Sequence, residues 1–113
     1  MGLNFSHAEA SWSYSGFDEF RHRLALEAGI DLYMMDGFGG DIPFDSVEDP
    51  IKPLLDHSDC DGELTPEECS TIAPRLRELV SNWFDDDYDK TNASRLAYGM
   101  ELAASNKENL RFS

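Results

Sequence analysis

Basic residues are scarce in this sequence. Its 113 residues include nine lysines and arginines against 23 aspartates and glutamates, so the formal net charge is −14 at pH 7. Proteins that bind nucleic acid neutralise phosphates with basic side chains, and anionic membranes attract basic segments. The charge therefore excludes a direct nucleic-acid binder and disfavours a membrane-surface protein. Cations and basic protein surfaces are the partners that it favours.

The chain also has few cysteines and no long apolar run. No hydrophobic stretch approaches the roughly 20 residues that cross a bilayer, and residues 1–6 have neither the basic nor the apolar region of a secretory signal. We therefore expect a cytoplasmic protein that does not associate with membranes. Cys60 and Cys69 are close enough in sequence to form one disulfide, but a reducing cytoplasm favours free thiols.

Catalytic fingerprints are missing as well. The chain contains no GxSxG, HExxH, kinase or dinucleotide-binding motif, and the glycine-rich segment 37–40 lacks the lysine and hydroxyl of a phosphate loop. A cysteine nucleophile needs a histidine base, and His57 with Cys60 is the one such pair close in sequence. We therefore expect no enzyme.

Enough hydrophobic chain remains for a packed core, because 41% of the residues are hydrophobic and 12% are aromatic. A length of 113 residues suits one domain. We expect residues 1–113 to form a single-domain, mainly α-helical bundle. Short alternating patterns at the two ends, Leu3 with Phe5 and Leu110 with Phe112, predict a short two-stranded β pair of the termini.

The first helix is predicted over residues 17–28. Ser15 is the expected N-cap, and Gly29 the expected C-terminal stop. Arg21 and Arg23 fall mostly off the apolar face. That face consists of Phe17, Phe20, Leu24 and Ala28.

Two proline signals predict the starts of the next helices. Asp49 followed by proline begins a short helix that ends near residue 55. Thr65 and Glu68 form a capping box that begins a helix extending to about residue 83. Pro74 lies inside this helix, so we expect a kink or a break there. The last helix is predicted over residues 88–105, with Asn106 ending it.

The acidic side chains are concentrated in the middle of the chain. Residues 41–89 carry 15 acidic and three basic side chains, whereas residues 90–113 carry two acidic and four basic ones. Acidic residues spread along helices are typical of a solvated surface. The dense clusters at 56–68 and 85–89 are candidates for binding instead.

The first cluster contains a recognisable pattern of oxygen donors. It resembles the calcium loop of the EF-hand family, which places ligands at positions 1, 3, 5, 7, 9 and 12 and a glycine at position 6. Aligned on Gly62, the ligand positions hold His57, Asp59, Asp61, Glu63 (through its backbone carbonyl), Thr65 and Glu68. The resemblance implies a helix–loop–helix over about residues 50–83, with calcium as the ion and Leu64 anchoring the loop in the core.

The pattern departs from the family at position 1. The family has aspartate there, and His57 offers a nitrogen, which calcium disfavours. Asp56 is one residue too early and needs a bulge to replace it. EF-hands usually work in pairs, and no second loop is visible. The alternative interpretation is an acidic turn that only caps the following helix.

Zinc is a further alternative for the same segment. His57, Cys60 and Cys69 lie close in sequence, and Asp59 or His22 is available as a fourth ligand. The spacing matches no paired CxxC signature, so zinc is disfavoured. Cys69 is expected to be a small buried hydrophobic residue.

The whole chain is similar to a group of small acidic proteins of bacteria and their phages that have no assigned function. Four segments carry the resemblance: residues 2–7, 12–17, 57–62 and 74–79. It implies a bacterial or phage-encoded protein of the cytoplasm and supplies no mechanism.

Two functions from different classes follow. The first is a small acidic, non-enzymatic binding protein with an EF-hand-like calcium loop at residues 57–68. The second is an acidic inhibitor or immunity-type protein, in which the carboxylates of residues 41–89 mimic a nucleic-acid backbone or cover a basic active site.

Overall fold

The structure, a computed structural model, describes residues 2–58 and 60–113. Its elements are β1 (Leu3–Asn4), β2 (Ser11–Trp12), α1 (Tyr14–Glu27), α2 (Lys52–Leu55), β3 (Glu63–Leu64), α3 (Pro66–Val80), α4 (Tyr88–Asn106) and β4 (Leu110–Arg111), with 3-10 turns at Leu32–Met34 and Phe44–Ser46. The predicted class, a small mainly α-helical fold with short β pairing, is confirmed. No helix in the described part of the chain is both long and apolar enough to span a membrane.

The hairpin of α3 and α4 forms the most extensive contact between two elements. From α3 the large apolar side chains face inward, while α4 contributes mainly small ones. The buried residues include Ile72, Leu76, Leu79 and Val80 on α3, and Ala93, Leu96, Ala97, Gly99, Met100 and Ala103 on α4. Small side chains on one helix let the backbones approach closely, so the larger side chains of the partner fill the space between them.

The N-terminus of α3 has the predicted capping box. Thr65 accepts a hydrogen bond from the Glu68 backbone N–H, and the Glu68 carboxylate accepts one from the Thr65 N–H. The helix continues through Pro74 to Val80, so the predicted break is absent. It ends three residues earlier than the sequence suggests.

Helix α1 begins one turn earlier than predicted. Ser13, and not Ser15, is the N-cap, because its hydroxyl accepts a hydrogen bond from the Gly16 N–H. The prediction that Arg21 lies off the apolar face is wrong, because Arg21 is only 3% exposed. Arg21 lies four residues after Phe17 and three before Leu24, so helical spacing puts it on the buried face.

An aromatic cluster joins α1 to the chain ends. The Trp12 ring stacks on Phe20 with centroids 4.7 Å apart, and Phe5 packs edge-on against Phe112 at 4.9 Å. Phe17 contacts both Phe5 and Phe112. The two ends of the chain are thereby anchored in the core.

The predicted pairing of the termini is present as an antiparallel bridge between Phe5 and Phe112. Asn4 and Ser113 exchange backbone hydrogen bonds of 2.8 and 2.9 Å. Each terminal segment also has a second partner, because β1 pairs with β2 and β4 pairs with β3.

Two arginines connect helices through aspartates. Arg75 on α3 binds Asp49 ahead of α2 with its closest atoms 2.8 Å apart, and Arg23 on α1 binds Asp87, the N-cap of α4, at the same distance. The hydrogen bonds from these arginines hold the pKa of both aspartates below the ordinary value. The ion pairs therefore contribute stability above the unfolded-state pKa of an aspartate, and this stability is lost as the pH falls through the lowered values.

The segment between β1 and β2 lies against the middle of α4. Buried Asn92 fixes it by donating to the Ser11 carbonyl (2.9 Å) and accepting from the Ser11 N–H (3.3 Å). At Gly99, an added Cβ would be 2.5 Å from the Ala8 Cβ and 2.9 Å from the His7 carbonyl carbon. Only glycine permits this approach.

We predict that Gly99→Ala destabilises the protein even though alanine favours a helix. The helix-propensity gain is about 1 kcal/mol, while the overlap with residues 7 and 8 costs roughly 1–3 kcal/mol. Urea unfolding should show a free energy of unfolding lowered by about 1 kcal/mol. Ser105→Ala, at an exposed position of the same helix, serves as the control and should not be destabilised. A Gly99→Ala protein at least as stable as the original would contradict the close approach.

Candidate functional site: the loop at residues 57–68

The loop lies between two helices, as the EF-hand resemblance implies. Helix α2 ends at Leu55, and α3 begins at Pro66. Gly62 has a φ of +93°, a backbone conformation that favours glycine. Leu64 is 1% exposed and anchors the loop in the core as expected.

The His57 ring lies across the loop. Its Nδ1 is 2.9 Å from the Ser58 carbonyl oxygen and its Nε2 is 3.0 Å from the Glu63 carbonyl oxygen. Carbonyl oxygens only accept hydrogen bonds, so a ring nitrogen that carries a proton donates it to the carbonyl that it faces. The His57 ring also stacks on the Phe112 ring, with centroids 3.9 Å apart. A Cβ at Gly62 would approach the ring carbon Cε1 to 3.0 Å, so a larger residue would crowd the ring as well as strain the turn.

Arg21 fixes the start of the loop from α1. Its guanidinium donates hydrogen bonds to the Leu55 carbonyl (3.3 Å) and to the His57 carbonyl. These two oxygens lie at the end of α2, where helical carbonyls lack a partner within the helix. The guanidinium also lies against the rings of Phe17 and Phe38. The sequence analysis missed this positioning role, although the spacing of Arg21 on α1 signals its burial.

Strand β4 holds the other half of the loop. Glu63 pairs with Arg111 and Leu64 with Leu110, and the Phe112 N–H donates to the Gly62 carbonyl at 2.9 Å. The Glu63 carboxylate accepts a hydrogen bond from the Asn109 side chain at 2.6 Å. Strand β4, which is far away in sequence, thus determines the conformation of Gly62, Glu63 and Leu64, positions 6 to 8 of the EF-hand pattern.

The remaining predicted ligands make hydrogen bonds within the loop. Asp61 accepts from the Ser58 hydroxyl at 2.8 Å, and Thr65 and Glu68 pair in the capping box. The structure therefore brings His57 to the Glu63 carbonyl and Thr65 to Glu68. Asp59, the predicted position-3 ligand, lies outside the described residues.

In the described ranges, 2–58 and 60–113, no three histidine, cysteine, aspartate or glutamate side chains form a group that could hold a metal ion. The zinc candidate His22 stacks on Tyr33, with ring centroids 4.0 Å apart, and its Nε2 is 3.6 Å from Asp18. Burial raises the pKa of the Cys69 thiol to about 11. Cys69 is 0% exposed, so it is the small buried residue that the sequence predicts.

Asp56, the alternative ligand for position 1, is the C-cap of α2. It lines a cleft of about 350 Å³ beside the loop, together with Asp18 and Asp36. The face of the loop toward α1 is therefore acidic. The three aspartates share this cleft with Arg21 and His57, which line it as well.

The second acidic cluster, residues 85–89, lies where the turn between α3 and α4 meets the start of α4, and we call residues 84–87 the acidic turn. Lys90 stabilises it by donating to the Trp83 carbonyl (2.8 Å) and to Asp85 (2.9 Å). The Arg23 guanidinium lies over the Trp83 ring, 3.7 Å from its centre. Phe84 is nevertheless 82% exposed at this turn, so a well-ordered segment presents an apolar ring to solvent.

Chemically, the loop offers carboxylate, hydroxyl and carbonyl oxygens, which are the donors that hard divalent cations prefer. Comparisons with protein families, with curated proteins and with solved structures find no match to this chain.

We predict that the two thiols differ strongly in reactivity. Cys60 is exposed and Cys69 is buried, so a disulfide reagent such as Ellman's reagent should modify Cys60 at once and Cys69 only when the protein opens. The absorbance change should correspond to one thiol in native buffer and two in denaturant. The Cys60→Ser variant should lose the fast phase. A fast phase of two thiols in the native protein would contradict the burial of Cys69.

Proposed function

We propose that this protein is a small acidic, non-enzymatic binding protein whose loop at residues 57–68 binds a divalent cation, calcium, when the His57 ring moves out of the loop. The observation that carries the proposal is the contact between His57 Nε2 and the Glu63 carbonyl oxygen. In the EF-hand pattern these are positions 1 and 7, which face the same ion. The imidazole, a donor of hydrogen bonds, here binds the oxygen that a cation would bind.

The scaffold of the loop supports this proposal. Gly62 already has the backbone conformation of the turn, Leu64 is already buried, and α3 is already capped next to position 12. Binding would therefore order few additional residues, and a preorganised site loses less entropy when it binds. Glu68 accepts the hydrogen bond from the Thr65 N–H with one carboxylate oxygen, Oε1.

The net charge of the chain also favours the binding of a cation. The net charge of −14 attracts cations over a long range and destabilises the compact protein through self-repulsion. A bound divalent ion would relieve part of that repulsion. The cytoplasm is the setting that we propose for this binding.

The decisive experiment is calorimetric calcium titration of the protein and of His57→Asp. The substitution removes the ring that contacts the Glu63 carbonyl and adds a negative oxygen ligand, so calcium affinity should rise roughly tenfold or more. Glu68→Gln keeps a capping oxygen but removes the charge at position 12, so it should weaken binding.

Thr91→Asp, which adds one negative charge at an exposed position of α4, is the matched control and should leave the affinity unchanged. If Thr91→Asp raises the calcium affinity as much as His57→Asp does, the increase comes from the added negative charge and not from a ligand in the loop. The proposal fails if neither the original protein nor His57→Asp gives calcium heat. It also fails if millimolar calcium and sodium chloride of matched ionic strength give the same melting curve.

The acidic turn supports a second candidate function, an acidic inhibitor or immunity-type protein that covers a basic surface. Exposed Phe84 is flanked by Asp85, whose side chain is fully exposed, and by exposed Asp86. Aromatic anchors dominate many protein interfaces, and charge complementarity accelerates association. The partner that fits this turn is a basic surface with an apolar pocket.

For this candidate we predict that the protein distinguishes two peptides of equal charge, one alternating lysine with leucine and the other lysine with serine. The leucine peptide should bind more tightly, and Phe84→Ala should lower its affinity roughly tenfold, to that of the serine peptide. Tyr98→Ala, at another exposed aromatic position, is the control and should have little effect. Tryptophan fluorescence reports binding through nearby Trp83. If the two peptides bind with equal affinity, non-specific charge attraction explains the binding. That result would contradict the role of Phe84.

A further inference from the structure

A cavity of about 560 Å³ lies between α4 and the segment that follows β1. Arg95, Tyr98 and Leu102 line one side, and His7 and Glu9 line the other. The three α4 residues are separated by three and four positions, so they share one helix face. The volume lies in the range of small-molecule sites, and none of these residues belongs to the loop at 57–68 or to the acidic turn.

The two backbone segments beside this cavity are held together before any ligand arrives. Asn92 and Gly99 hold the segment around residues 7–11 against α4, as described above. His7 is tied at its Nε2, which lies 3.1 Å from Glu108 Oε1. A site between two rigidly attached elements does not need to be ordered by its ligand.

The two arginines that line the cavity differ in whether they form an ion pair with a carboxylate. Arg77, which also lines it, is bound to Glu101 with its closest atoms 2.8 Å apart. Arg95 has no carboxylate within 4.0 Å anywhere in the described residues, although the chain has 23 acidic side chains. Arginine is suited to binding a carboxylate or a similar oxyanion through two parallel hydrogen bonds.

The other lining groups narrow the class of ligand. Tyr98 is 64% and Leu102 is 40% exposed, so the cavity has apolar surface beside the guanidinium. Glu9 lies in the same cavity and repels a ligand with several negative charges. The net charge of −14 repels polyanions further.

We propose that this cavity binds a small amphipathic organic anion of single charge, with its acidic group on Arg95 and its apolar body against Tyr98 and Leu102. The site is separate from the proposed calcium loop, and its test is independent of calcium.

The probe is 8-anilinonaphthalene-1-sulfonate, an aromatic sulfonate of single charge, compared with the neutral N-phenyl-1-naphthylamine. Both dyes become fluorescent in an apolar site. Arg95→Gln should lower the affinity for the sulfonate roughly tenfold through loss of a charge-assisted contact, while the affinity for the neutral dye changes less than twofold. Tyr98→Ala should weaken both dyes. Arg111→Gln is the matched control, because it removes one positive charge at an exposed residue that does not line the cavity.

Amide NMR shifts with 1-naphthaleneacetate locate the site directly. We expect the largest shifts at Arg95, Tyr98 and Leu102. The proposal is overturned if the sulfonate does not bind, if Arg95→Gln leaves its affinity unchanged, or if Arg111→Gln weakens it equally. Largest shifts at the exposed apolar residues Leu26 and Tyr33 would also overturn it. Circular dichroism of each variant ensures that a changed affinity is not caused by unfolding.

Discussion

The pairing of the C-terminal segment with two other parts of the chain is the constraint on which the structure depends. One edge of residues 110–113 bonds to the loop at Gly62 and Leu64, and the other bonds to the N-terminal segment at Asn4. Phe112 packs between these partners, with Phe5 on one side and His57 on the other. Strands of two residues are not stable alone, and here each is stabilised by burial of the neighbouring aromatic rings.

This arrangement explains how a single acidic loop keeps a defined shape. Strand β3 needs a partner, and β4 supplies it, so a second loop is not required to cover its edge. The loop is fixed from three directions: by β4, by the capped start of α3 and by Arg21 on α1. Carboxylates that repel one another are kept close by hydrogen bonds from hydroxyl and amide groups.

Several of the nine basic residues connect elements. Arg21 joins α1 to the loop, Arg23 joins α1 to α4, and Arg75 joins α3 to the segment before α2. In a chain with this excess of acid, a guanidinium that binds a carboxylate both removes repulsion and fixes a distance. Arg95 is different, because it lines a cavity without such a partner in the described residues.

Most of the helical fold was predictable from local signals, because caps and apolar spacing act over a few residues. The capping box at Thr65 and the ends of α4 are examples. The start of α1 was misplaced because Ser13 and Ser15 are equally suitable caps, and only tertiary packing selects between them. The loop boundaries were also predictable. The His57 contacts were not, since they depend on Phe112 and on a strand contributed from nearly 50 residues away.

The pairing of β3 with β4 also determines the order in which the loop is assembled. During synthesis the residues of the loop leave the ribosome well before residues 110–113, and local helices form far faster than contacts between distant segments. The nascent chain can therefore fold α3 from its own capping box while the loop beside it still lacks its strand partner. The loop reaches its final shape only when β4 has been made and has paired with β3.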